Sequence, residues 1–175
     1  MYHLIVNIDK GEYLDPHAFG EGRHLREFGR TQSLVAAALV WLLSRSNGQG
    51  GGDVPAHILV GRWAGDRVVV VGEKCPAGIY LPDNWLTTWR QTQPQGSEFA
   101  GKPNLYQYAQ ACCLDISPLA VKMLAKEPEV LAVAKATRKG FEKAAQQPLP
   151  TALIELATGA KPSSDDEAVF DLPEG

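Results

Sequence analysis

The chain has 175 residues, a formal net charge of −3, and 45% hydrophobic and 21% charged residues. That length and balance fit one globular domain with a core of its own and exclude a disordered, fibrous or disulfide-stapled chain. A slightly acidic total carries no global field to draw nucleic acid, and the longest apolar run, Leu34 to Leu43, is far short of the roughly 20 residues of a membrane span.

Met1 leads straight into a strand-like segment with no basic flank, so no signal peptide is read and the expected compartment is the cytoplasm. The cysteines, Cys75, Cys112 and Cys113, form no C-x-x-C pair. Adjacent cysteines bridge only with strain, so free thiols are expected.

Tyr2 to Ile8 is rich in β-formers, Asp9-Lys10-Gly11 supplies a turn, and Glu12-Tyr13-Leu14 returns antiparallel until Asp15-Pro16 ends the hairpin. His17 to Gly29 reads as loop with one helical turn. Thr31 or Ser33 caps a helix over Leu34 to Arg45 that is apolar on nearly every face, as a central buried helix would be; Arg45 suits its dipole and Asn47-Gly48 stops it. A second hairpin is expected from Ile58–Trp63, a turn at Ala64-Gly65-Asp66, and Arg67–Val71, in which four consecutive valines suggest a strand buried on both faces. Ile79-Tyr80-Leu81 is a third strand candidate. Pro82 to Pro103 reads mostly as loop, with one or two helical turns over Asn84–Arg90.

Leu105 to Leu114 fits either strand or helix. Asp115 or Ser117 then caps a helix from Pro118, and helical spacing runs through Pro118–Lys126 and Glu129–Gln146, interrupted at Pro128 and Gly140. Thr151–Thr158 closes the series. Residues 161–175 are acidic and polar and predict a disordered, dispensable tail. The fold class is therefore α+β in a single domain over 1–160, an antiparallel sheet from the N-terminal half packed on a central buried helix with a helical C-terminal third.

Several of these motifs resemble a family of small uncharacterised proteins from bacteria and their phages. They are Asn7-Ile8-Asp9-Lys10, Glu12 to His17, Phe19-Gly20 with Gly22, Asn47 to Asp53, Gly61 with Trp63 to Arg67, and Gly78-Ile79-Tyr80, with a weaker echo at Asp115-Ile116-Ser117. The resemblance covers roughly the first half, and the helical third beyond Lys126 departs from it as an extension. It implies a shared architecture and a bacterial or phage origin, and no reaction.

The stretch Asn47 to Val71 organises the candidate site. Asn47, Gly50, Gly51, Gly52 and Asp53 form a bare loop that lacks both the Lys-Ser/Thr of a P-loop and the spacing of a dinucleotide fingerprint. With Trp63, Asp66 and Arg67 it can grip a small polar ligand, its backbone N–H groups facing an anion. The competing account makes Arg67 a structural lock that pairs with Asp53 or with carbonyls and ties the loop to the hairpin. A second group is Asp9, Glu12, Asp15, His17, Glu21 and His24. Its residue types suit a divalent cation but its spacing matches no ligand motif, so solvated loop charges are the better account. A thiol–imidazole pair between Cys112 or Cys113 and His3, His17, His24 or His57 has no local signature. Trp41, Trp63, Trp85 and Trp89 read as core and surface aromatics, because basic residues do not interleave with them.

No nucleophile or acid–base set assembles from these residues. The expected function is that of a non-enzymatic binding or interaction accessory protein, with a protein partner or small polar ligand and no cofactor or metal. The alternative is a hydrolase or transferase acting on a phosphorylated or nucleotide-like small molecule through Asp53, Asp66 and Arg67. A flat apolar patch near Trp85 and Trp89 would favour the partner, and a pocket holding two carboxylates near Arg67, at least one perturbed by burial, would favour the enzyme.

Overall fold

Alternation along the first hairpin sets up a sheet with two buried faces. In the computed structural model, which describes residues 1–29, 32–45, 57–92, 101–137 and 140–159, strand β1 (His3–Asn7) pairs antiparallel with β2 (Glu12–Leu14), placing Ile5 opposite Leu14 and Asn7 opposite Glu12. Strand β3 (Val68–Gly72) lies antiparallel on the other side of β1, running from His3 opposite Gly72 to Asn7 opposite Val68. A two-residue strand, β4 (Leu114–Asp115), adds parallel to β2, giving the order β3-β1-β2-β4. The sheet is therefore mixed, where a purely antiparallel one was expected. A connection containing a helix permits a parallel return, and two residues are too few to show a period of their own.

With β1 inside the sheet, Leu4, Ile5 and Val6 are all buried. Ile5 and Leu14 face one cluster with Phe19, Val35, Leu42 and Phe141. Leu4, Val6 and Val71 face another with Leu105, Tyr106 and Ala109. The helices are α1 (Leu25–Phe28), α2 (Leu34–Leu43), α3 (Asp83–Thr92), α4 (Leu105–Cys112), α5 (Ser117–Leu124), α6 (Pro128–Thr137), α7 (Phe141–Gln146) and α8 (Thr151–Thr158). The architecture is α+β with a helical C-terminal part.

Helix α2 starts where the spacing places it, with the Ser33 hydroxyl accepting from Ala36 N at 3.1 Å. Only one face is covered. Leu34, Val35, Ala38 and Leu42 are buried, whereas Val40 stays 66% exposed, so an all-round apolar sequence here does not mean all-round burial. Among the described residues no helix is long and apolar enough to cross a membrane.

Three expected elements differ. Residues 57–66 are successive turns rather than a strand, and β3 finds its partner in β1. The reason lies in the hydrogen bonds: Gly61 N donates to Trp41 O (2.9 Å) and Trp63 N to Leu42 O (2.8 Å). The turns thus donate to the last carbonyls of α2, Trp41 O being shared with Ser44 N at 3.3 Å, and Gly61 at φ 76° has Ser44 O 2.9 Å from where a Cβ would sit. Residues 79 and 80 are likewise turn and 81 is in no strand, with Gly78 and Tyr80 at φ 78° and 65°. Residues 83–92 form a full helix in place of a loop with a turn or two. The ambiguous 105–114 segment is helix to Cys112, started by Asn104 and Gln107 capping each other's backbone N–H groups at 3.1 and 2.8 Å, and the segment's last residue, Leu114, enters β4. Residues 161–175 lie outside the described residues.

Candidate functional site

The site nominated by the sequence centres on the first hairpin and the segment 62–67, which the fold brings together. Asn7 is fully buried. Its Oδ1 accepts from Lys10 N at 2.9 Å, closing the turn, and its Nδ2 donates to Asp66 Oδ2 at 2.8 Å. Lys10 Nζ reaches the same oxygen at 2.5 Å. Those two donors, Lys10 foremost, hold the Asp66 carboxyl below the usual carboxylate range. Asp9 accepts from Arg67 N (2.6 Å), Nε (2.8 Å) and Nη2 (2.6 Å), and the same guanidinium keeps Asp9 ionised below its ordinary range. Arg67 pairs with Asp9 of the first hairpin and its side chain is 70% exposed; Asp53 and the glycine loop that it was expected to lock lie outside the described residues.

A second fastening is buried. Glu12, 3% exposed, takes Arg62 Nε at 3.0 Å to both carboxylate oxygens, Arg62 Nη2 at 2.5 Å and the Trp63 indole Nε1 at 2.8 Å. Trp63 has no exposed surface, so it is a core residue whose polar edge needs this carboxylate. Arg62 was not singled out by the sequence reading. The available signal was Glu12 itself, which shares a strand face with Leu14 and so had to find a buried cation or donor.

A third group joins β2 to β4. Asp15 binds Arg23 through Nε (2.8 Å) and Nη2 (2.5 Å). Asp15 N donates to Ser117 Oγ at 2.7 Å, and Ser117 donates from Oγ (2.5 Å) and N (2.9 Å) to Asp115 Oδ1. Burial pushes the Asp115 carboxyl up from its ordinary value of 3.8, against the pull of Ser117. Burial, with the Asp115 and Asp15 charges, also raises the Tyr13 phenol.

Of Asp9, Glu12, Asp15, His17, Glu21 and His24, expected to be solvated loop charges, Glu12, Asp15 and Glu21 are instead withdrawn from solvent and paired, whereas Asp9 and His17 are exposed. Glu21 is 4% exposed and accepts from Ser33 Oγ (2.8 Å) and Leu34 N (2.5 Å), anchoring the start of α2. Among the described residues no cluster of three His, Cys, Asp or Glu could hold a metal ion. All three cysteines are unbridged, and burial pushes the Cys113 thiol up to about 12, which disfavours a nucleophilic thiolate. Burial likewise lowers His57.

Of the sequence-nominated ligand residues, the fold brings Trp63, Asp66 and Arg67 to the hairpin, each engaged with a different partner in its own chain. Asn47, Gly50, Gly51, Gly52 and Asp53 lie outside the described residues. A separate open cleft of about 270 Å³ runs between the start of α2 and α6, lined by Gln32, Ser33, Leu34, Ala37, Glu129, Val130 and Val133. No family model, curated protein or solved structure matches the chain.

Proposed function

We propose that the chain is a non-enzymatic binding protein, an accessory factor of a bacterium or phage, whose partner is a protein met through the segment 79–89. Tyr80 carries the reading. It is 58% exposed and held at φ 65°, a backbone region that costs a residue with a side chain about 1 kcal/mol or more. Ile79 beside it is 43% exposed. Further along, Trp85 stacks on Tyr108 with centroids 4.5 Å apart and Trp89 tilts against the same ring at 6.4 Å. This fastens α3 to α4 and leaves Ile79 and Tyr80 exposed beside two half-buried tryptophans, residue types that protein interfaces favour.

The rival enzyme is less well supported, since Asp66 and Arg67, two of its three residues, already bind Asn7, Lys10 and Asp9. A photo-crosslinking residue at Tyr80 should give a discrete protein adduct in cells that express the chain, and the same residue at Glu129 on α6 should not. Equal labelling at both positions, or none at Tyr80, overturns the assignment. Steady phosphate release from nucleotides or sugar phosphates by the purified chain would replace it with the enzyme.

A further inference from the structure

β3 stands at the end of the sheet order, with β1 on one side and no described strand on the other. Its hydrogen-bonding phase follows from its ends. Ile8 N donates to Arg67 O at 2.9 Å and Glu73 N to Tyr2 O at 3.0 Å, so the odd-numbered residues from 67 to 73 turn their backbone groups toward β1. In an antiparallel ladder the alternate residues, Val68, Val70 and Gly72, then direct N–H and C=O outward. Gly72 O already accepts from Cys75 N at 2.9 Å, and its second lone pair remains. Val70 is 44% exposed. A run of four valines with an open edge invites another strand, and it carries no proline or central charge to repel one.

The sequence around this edge is complementary to itself. Lay a second copy antiparallel about a two-fold axis at Val70. Val70 meets Val70 and Val68 meets Gly72, and all of these are outward-directed residues, so the hydrogen-bonding phase agrees. In the same register Val69 meets Val71, Arg67 meets Glu73, and Asp66 meets Lys74. Sliding the copy by two residues either way sets Val71 against Arg67 or Val69 against Glu73, and both charge matches are lost. Arg67 and Glu73 are both accessible, with side chains 70% and 36% exposed. Arg67 spends Nε and Nη2 on Asp9 and leaves Nη1 for a second carboxylate. Among the described residues the Glu73 carboxylate has the chain's own amino terminus, at 3.8 Å. Lys74 is exposed.

We propose that the open edge of β3 binds a second copy of this chain, pairing the two β3 strands antiparallel about Val70 and joining the sheets into one. The interface is isologous, since each copy supplies the same strand and both members of each charge pair. It uses a surface distinct from the segment around Tyr80.

The test is the molar mass of the full-length chain by sedimentation at high micromolar concentration. The parent should be a dimer. Val70→Lys should be a monomer with an unchanged circular dichroism spectrum, because the side chain replaced is already half in solvent. Arg67→Glu and Glu73→Arg each set like charges across the axis and should each be monomeric at low salt. Mixed one to one they should form a heterodimer, since every cross-strand charge pair becomes opposite again. A monomeric parent, or a dimer that survives Val70→Lys, overturns the proposal. Two folded single variants that fail to associate when mixed overturn the register.

Discussion

The first hairpin is fastened to residues 62–67 at two points that use the same chemistry in different surroundings. Arg62 meets Glu12 and Arg67 meets Asp9, each guanidinium using Nε and Nη2. Glu12 is 3% exposed and shares its carboxylate with the buried Trp63 indole, whereas the Arg67 side chain is 70% exposed. The difference between the pairs is access to water. A charge stranded at the surface is rehydrated and screened, but one stranded in the core keeps its desolvation cost. Equal geometry therefore does not mean equal contribution, and the buried pair is the one that decides whether residues 62–67 stay docked.

Truncating the buried carboxylate should have the largest effect. Glu12→Ala leaves both Arg62 and the Trp63 indole without an acceptor, and should lower unfolding free energy by about 3 kcal/mol, the lower end for a broken buried pair because Arg62 is 22% exposed. Urea denaturation measures it. Glu12→Gln keeps an acceptor for the indole and should fall in between. A Glu12→Ala protein no less stable than a surface carboxylate variant would erase the contrast.

Asp115 tests burial in the absence of a direct cation. Its folded-state pKa lies above the ordinary 3.8, because burial disfavours the charge. The stability it contributes is full below the unfolded value and is lost as pH rises through the folded one. Asp115→Asn removes this titration, and its amide oxygen can still accept from Ser117. The variant's urea midpoint should thus gain on the parent's as the pH rises above about 4, the unfolded value. A difference that stays flat with pH would mean that burial does not shift the Asp115 carboxyl.

The smallest change is expected at the surface. Arg67→Ala, measured where the chain is a single copy, should leave the urea midpoint nearly unchanged, because Asp9 simply regains water. A loss approaching that of Glu12→Ala would show that the Asp9–Arg67 pair is desolvated too, and would collapse the comparison.

Much of the local structure was legible in the residues. The hairpin turn at Asp9-Lys10-Gly11, the Ser33 start of α2, the existence of the valine strand and the 151–158 helix follow from turn chemistry, capping and β-propensity, which act over a few residues, although the strand is an edge with Val70 exposed and is not buried on both faces. The α+β class followed from them. What tertiary structure decided was where each buried polar group goes. Glu12 finds Arg62 fifty positions away, Glu21 finds the start of α2, and the turns at 57–66 donate to the end of α2 instead of a ladder. Arg67 meets Asp9, a carboxylate 58 positions away, and its high exposure was not readable from the residues around it. Spacing encodes which way a side chain points, but its partner and its share of water depend on which distant segment packs against it.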